Sequence, residues 1–110
     1  MKAVSREILL GFWKVHILHH AQRGGVHGQW ILTELRQHGY EISPGTLYPL
    51  LQRMAKLGWL TCKVAPGGGR RARKDYRLTA DGRKVLALLR KQVRELYDEV
   101  VVESEGKGPK

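Results

Sequence analysis

Near the C-terminal end, Leu86, Leu89, Val93, Leu96 and Val100 follow one another at intervals of 3, 4, 3 and 4 residues, flanked by Val85 and Leu88. That spacing is the seam of a helix that packs lengthwise against another. Thr79 suits its N-cap, and the helix is expected to run to about Val102. At 1.5 Å per residue it is about 36 Å long, longer than a three-helix domain of this size is wide. Part of it must therefore find cover beyond its own domain. Residues 103–110 are polar, carry Gly and Pro, and are expected to be disordered.

The preceding residues read as three shorter helices and a hairpin. The first helix is expected from Ser5, as N-cap, to about Arg23, with Gly24-Gly25 as its stop. At 100° per residue Ile8, Phe12 and Val15 share one side, and Leu10, Trp13 and Ile17 lie roughly opposite. A helix apolar on two sides is buried on two sides, and in so small a domain the second side should meet another subunit. A second helix spans about His27 to His38, carries Trp30, Ile31, Leu32 and Leu35, and stops at Gly39. After a short turn, Tyr40-Glu41-Ile42, a third helix places Leu47, Leu50, Leu51, Met54 and Leu57 on one face and is closed by Gly58. Its other face presents Thr46, Tyr48, Gln52, Arg53 and Lys56. The hairpin consists of Leu60 to Val64, a turn at Pro66 to Gly69, and Lys74 to Leu78, with Tyr76 and Leu78 facing inward. Its loop carries Arg70, Arg71, Arg73 and Lys74. The domain plan is therefore 1–78, with the helix 79–102 and the tail 103–110 appended.

Twenty Lys and Arg against ten Asp and Glu give a formal charge of +10, which favours a polyanionic partner, nucleic acid before an acidic membrane surface. No charged-then-apolar leader and no apolar run long enough to span a bilayer is visible, so a soluble, cytoplasmic protein is expected. The single cysteine, Cys62, falls in a strand and reads as an inert, partly buried thiol. An enzyme is hard to build from these residues. No nucleophile elbow or zinc pattern is present, and GGGRRARK lacks the spaced GK[ST] ending of a phosphate loop. His16, His19 and His20 stand at i, i+3 and i+4, a spacing that can bind a transition metal. No cysteine or carboxylate nearby in sequence completes a site, so they read as surface or interface histidines, and no metal or cofactor is expected.

Two short helices joined by a tight turn and followed by a ribbon with a basic tip make a winged helix-turn-helix, mainly α with a small β-hairpin. In that architecture the second helix of the pair enters the DNA major groove and the ribbon tip meets the backbone or the minor groove. Recognition helices touch bases with their N-terminal residues, and the segment Ser43-Pro44-Gly45-Thr46-Leu47-Tyr48-Pro49 suits that task. Ser43 fits the N-cap, Pro44 the first helical position, and Gly45 lets backbone approach a phosphate. Pro49 allows two readings. Either it deletes a backbone bond one turn into the helix, or the helix starts later and Pro49 lies near its first turn.

The chain resembles the PadR-like transcriptional regulators. The resemblance rests on Val26-His27-Gly28, on Ser43 to Leu51, on Arg53-Met54 through Leu57-Gly58-Trp59-Leu60, and on Tyr76-Arg77-Leu78-Thr79-Ala80-Asp81-Gly82. It covers about residues 8 to 90 and points to the branch with a single helix after the wing. It implies a homodimeric repressor whose dimer is built from the N- and C-terminal helices, here Ile8, Phe12, Trp13, Leu86, Leu89, Val93, Leu96 and Val100. The implied DNA contacts are Ser43, Gly45, Thr46, Tyr48 and Pro49, with Arg53 close by and the wing residues Gly69, Arg70, Arg71, Arg73 and Lys74. A small-molecule effector at the dimer interface is implied too. Some relatives hold flat aromatic drugs between tryptophans of the last helix, where this chain has only Tyr97, so that activity does not transfer. The wing also carries Ala72 where a proline is expected between the basic residues. The competing readings are a winged helix used for protein interaction and a nucleoid-type DNA binder without a preferred site.

Overall fold

Helix α1 (Lys2–Ala21) opens the chain in the computed structural model, which describes residues 2–69 and 72–106. The helix starts ahead of Ser5, which is an interior position rather than the N-cap expected for it. Trp13, Ile17, Leu18 and Ala21 form its buried stripe, while Ile8 and Phe12 on the other side are 58% and 47% exposed. The two apolar sides are thus a core face and an uncovered face. Trp13, expected where a second subunit meets α1, belongs to the core face. It is 3% exposed and packs edge-on to Tyr40, with ring centroids 6.2 Å apart.

Val26–His27 form a two-residue strand, β1, absent from the sequence reading, which placed His27 in a helix. His27 also caps α2 (Gly28–Gln37): its Nδ1 accepts the Trp30 N–H at 3.3 Å. Ile31, Leu32 and Leu35 of α2 are buried. The helix ends on Gly39 at φ +94°, with Gly39 N–H bonded to Arg36 O and Tyr40 N–H to Leu35 O, the Schellman arrangement. Helix α3 (Pro44–Lys56) buries Leu47, Leu50, Leu51 and Met54. It closes the same way on Gly58 at φ +87°, with Gly58 N–H on Ala55 O and Trp59 N–H on Met54 O. Leu57, expected on the buried face, is the C-cap and is exposed, because the helix ends before completing that turn.

Strands β2 (Leu60–Val64) and β3 (Lys74–Leu78) pair antiparallel with Leu60 opposite Leu78 and Cys62 opposite Tyr76. β1 joins the other edge of β3, with Val26 opposite Tyr76, so the small hairpin is part of a three-stranded sheet of order β1-β3-β2. Tyr76 is buried as expected. Cys62 is exposed, not partly buried: only Leu60 of β2 reaches the core, and the rest of that strand, Thr61 to Val64, is exposed.

Thr79 caps α4 (Ala80–Tyr97), its Oγ1 accepting the Gly82 N–H at 2.8 Å and donating to Gly58 O. The chain continues through a π-helical turn, Asp98–Val102, into α5 (Glu103–Gly106). Residues 103–106 are therefore helical where disorder was expected, and 107–110 lie outside the described residues. Leu86, expected on the dimer seam, is 2% exposed in the protomer's own core, with Leu89 packed against it. Val93, Leu96 and Val100 are exposed. The extents of 60 × 33 × 21 Å accord with a terminal helix that outruns its core. Fully burying each large aliphatic side chain of that core contributes about 1.5–3 kcal/mol. Among the described residues no helix is long and apolar enough to cross a membrane.

Candidate nucleic-acid interface

The first turn of α3 is bare. Pro44 occupies its first position, and the helix demonstrably starts there, so Pro49 is an interior proline. Its missing N–H leaves the Gly45 carbonyl without a helical donor. The Ser43 carbonyl receives the N–H groups of Thr46 and Leu47 at 3.1 and 3.0 Å. The Ser43 hydroxyl does not cap the backbone as expected but donates to Thr46 Oγ1 at 3.4 Å. The Gly45 N–H has no carbonyl one turn back to receive it, and a Cβ placed on Gly45 would meet only Ser43 Oγ, at 3.8 Å. An approaching anion would find an unshielded donor at the positive end of the helix dipole. Arg6 of α1 adds charge there, its Nη2 donating to Thr46 Oγ1 at 3.2 Å. Forty positions separate the two, and nothing local in the sequence marks Arg6.

Further along α3, Tyr48, Pro49, Gln52, Arg53 and Lys56 are exposed on the face away from the core. Tyr48, at 38% exposure, rests on Gly28, where a Cβ would come within 2.5 Å of Tyr48 Cε1. The glycine opening α2 is thus what lets the ring lie down while its outer edge stays open. Arg53 has no ion-pair partner among the described residues. Glu34 sits 3.1 Å from His38 Nε2, and Asp75 accepts from Arg73 Nε at 3.2 Å.

Between α3 and the wing lies an open cleft of about 480 Å³. Tyr48 and Gln52 form one wall, Arg73, Lys74 and Ala72 the other, and His27, Gly28, Gln29 and Tyr76 the floor. Burial first, and then the neighbouring Cys62 side chain, push the Tyr76 hydroxyl on the floor up to about 12. Asp75 holds Nε of Arg73 and leaves the rest of that guanidinium available beside Lys74, which is exposed. The wing turn uses Gly67 and Gly69 at φ +82° and +57°, and Ala65 N–H bonds Arg73 O at 2.8 Å. Ala72 donates its N–H to Gly69 O at 3.1 Å, a bond that the proline expected there could not make. Arg70 and Arg71 lie outside the described residues.

Residues 17–88, which include α2, α3 and the wing, match the sequence profile of the transcriptional regulator PadR-like family. The chain belongs to the PadR-like family. It is 45% identical over 96 residues to the transcriptional regulator Rv3488 of Mycobacterium tuberculosis, covering 87% of this chain and 89% of that one. The crystal structure of a PadR family transcriptional regulator from Eggerthella lenta superposes with a TM-score of 0.77 at 30% identity, covering 96% of this chain and 93% of the other. A PadR-like regulator from Bacillus cereus, BC4206, gives a TM-score of 0.79 at 26% identity, covering 92% and 99%. The protein is thus a PadR-like transcriptional regulator with a winged-helix fold. Its family block Ser43 to Leu51 makes the bare, proline-opened helix end, and Val26-His27-Gly28 makes the edge strand, the α2 cap and the seat of Tyr48.

Proposed function

We propose that this PadR-like regulator is a cytoplasmic, homodimeric DNA-binding repressor that sets its two α3 helices into successive major grooves of a pseudo-palindromic operator. The observation that carries this reading is the open cleft in which Tyr48 and Gln52 of α3 meet Arg73 and Lys74 of the wing, on the helix whose bare first turn and exposed Arg53 flank it in sequence. Ser43, Thr46 and Pro49 border the same helix end. The uncovered apolar residues Ile8 and Phe12 of α1 and Val93 and Leu96 of α4 support a second copy as their cover. Half-sites should then lie about 10 bp apart, or a multiple of that. A groove of about 830 Å³ between α1 and α4, bordered by Val15, Leu86, Val93 and Tyr97, would accept an effector that alters the separation of the two α3 helices.

The test is fluorescence anisotropy of the protein on duplex from upstream of its own gene and on a shuffled duplex, at one salt concentration. A preference of about 10³ or more is expected. Equal binding to both duplexes would reject autoregulation at that region and favour nucleoid-type binding. Gly45→Ala is the sharper probe of the reading head. Space inside the protomer is free at Gly45, so thermal stability should hold, while a lost charge-assisted contact weakens operator binding by about 1.5–3 kcal/mol per half-site, roughly 10- to 100-fold. Unchanged affinity would remove Gly45 from the interface.

Counterion release makes the wing separately testable. Each phosphate neutralised on duplex DNA contributes about −0.9 to the slope of log K against log salt. Lys74→Gln should flatten that slope by about 1 per protomer and weaken binding to all duplexes alike. A slope equal to that of the parent protein would place Lys74 off the backbone.

A further inference from the structure

The strongest chemistry outside the DNA-facing surface is a cluster of imidazoles where α1 packs against the end of α2. His16 and His20 stand at i and i+4 on α1, and Glu34 and His38 at i and i+4 at the end of α2. The ligand atoms of His16, His20 and His38 all lie within 4.8 Å of one another. Glu34 Oε2 is 3.1 Å from His38 Nε2 and 3.8 Å from His20 Nε2.

We propose that His16, His20 and His38, with Glu34 as the fourth ligand, form a site for one divalent transition-metal ion per protomer. Tetrahedral coordination at about 2.0–2.1 Å sets ligand atoms about 3.4 Å apart, so the three imidazoles have to close in by about 1.4 Å at most. Glu34 already brackets that spacing against His38 and His20, and its carboxylate has to swing toward His16 to complete the set. Three imidazoles and one carboxylate select ions such as Zn²⁺, Co²⁺ or Ni²⁺ over Ca²⁺ and Mg²⁺, which take oxygen ligands. Burial, reinforced by neighbouring histidines, lowers the basicity of His16 and His20, favouring the neutral ring that binds metal. His38 is exposed and leaves an entry path, while the ring of His20 packs edge-on to Trp30 with centroids 5.3 Å apart. The Tyr40 hydroxyl, 3.1 Å from His16 Nε2, steadies that ring without the ion. His19 is no part of the cluster, because it turns toward Arg90 of α4. The sequence pattern on α1 therefore held two of the four ligands, and α2 supplies the others. An ion here would tie α1 to the turn that leads directly into α3.

The test uses full-length protein without a histidine tag, stripped with chelator, and needs no DNA. Titration with Zn²⁺ against a chromophoric chelator should give one ion per protomer, and Co²⁺ should develop the visible absorption of a tetrahedral site. His20→Gln and His38→Gln should each weaken Zn²⁺ binding by more than the roughly 10- to 100-fold that loss of an outer-shell partner costs, and His19→Gln should leave it unchanged. Circular dichroism checks the fold. Should His20→Gln unfold, His38→Gln decides, since its ring is exposed at a helix end. Fewer than one ion per protomer, or parent-like affinity in His38→Gln, would overturn the proposal.

Discussion

Gly82→Ala should lower the unfolding free energy by about 3 kcal/mol, although alanine exceeds glycine in helix propensity by about 1 kcal/mol. Gly82 lies in the first turn of α4, where a Cβ would stand 2.1 Å from the Trp59 carbonyl oxygen and 2.6 Å from Leu78 Cδ1. The carbonyl cannot yield cheaply, because it accepts the Thr79 N–H at 3.1 Å. Thr79 in turn receives the Gly82 N–H and donates to Gly58 O, so the end of α3, the start of β2 and the start of α4 are locked at one point. Alanine there must push α4 off the sheet. For a domain of this size that corresponds to a fall in melting temperature of about 10–20 °C at fixed protein concentration. A thermal scan that instead showed stabilisation near 1 kcal/mol would mean that propensity wins and that the close approach is not real.

The same joint illustrates what sequence can and cannot carry. The block Thr79-Ala80-Asp81-Gly82 marks a helix start by its cap, which is local chemistry. The reason for its glycine is a carbonyl at Trp59, which no local pattern reports. The buried stripe of α3 and the stops at Gly39 and Gly58 were legible because helix period and left-handed glycine caps act within one or two turns. Strand β1 was not, since two residues have no period and Val26–His27 are a strand only through pairing with Tyr76 and Asp75. Periodicity also identified two apolar sides of α1 and a seam on α4, but a pattern does not say what covers it. Trp13 and Leu86 turned out to be covered from within, and Ile8, Phe12, Val93 and Leu96 are left about half exposed. In the candidate interface, the helix-opening block was readable from turn and cap chemistry. Arg6, Gln29 and the seat of Tyr48 on Gly28 required the tertiary fold.

Those uncovered residues lead to the other large expected effect. Val93 and Leu96, 48% and 49% exposed, lie beyond the part of α4 that its own core covers, and in the proposed dimer they are buried with Ile8 and Phe12. Because neither contributes to the protomer's core, Val93→Glu/Leu96→Glu should leave the circular dichroism of the fold intact. Burying two unpaired carboxylates at an apolar seam, and losing about 1.5–3 kcal/mol for each aliphatic side chain removed, should dissociate the dimer at micromolar concentration. Sedimentation velocity would then report a monomer. Operator binding should fall by about 10²- to 10⁴-fold, the gain that linking two half-site modules supplies, even though every residue of the cleft is untouched. Binding to an isolated half-site should change far less, apart from the small electrostatic effect of the added charge. That contrast separates loss of assembly from damage to the reading head. A double variant that still sedimented as a dimer would move the interface off α4, and a parent protein that sedimented as a monomer would overturn the homodimer itself.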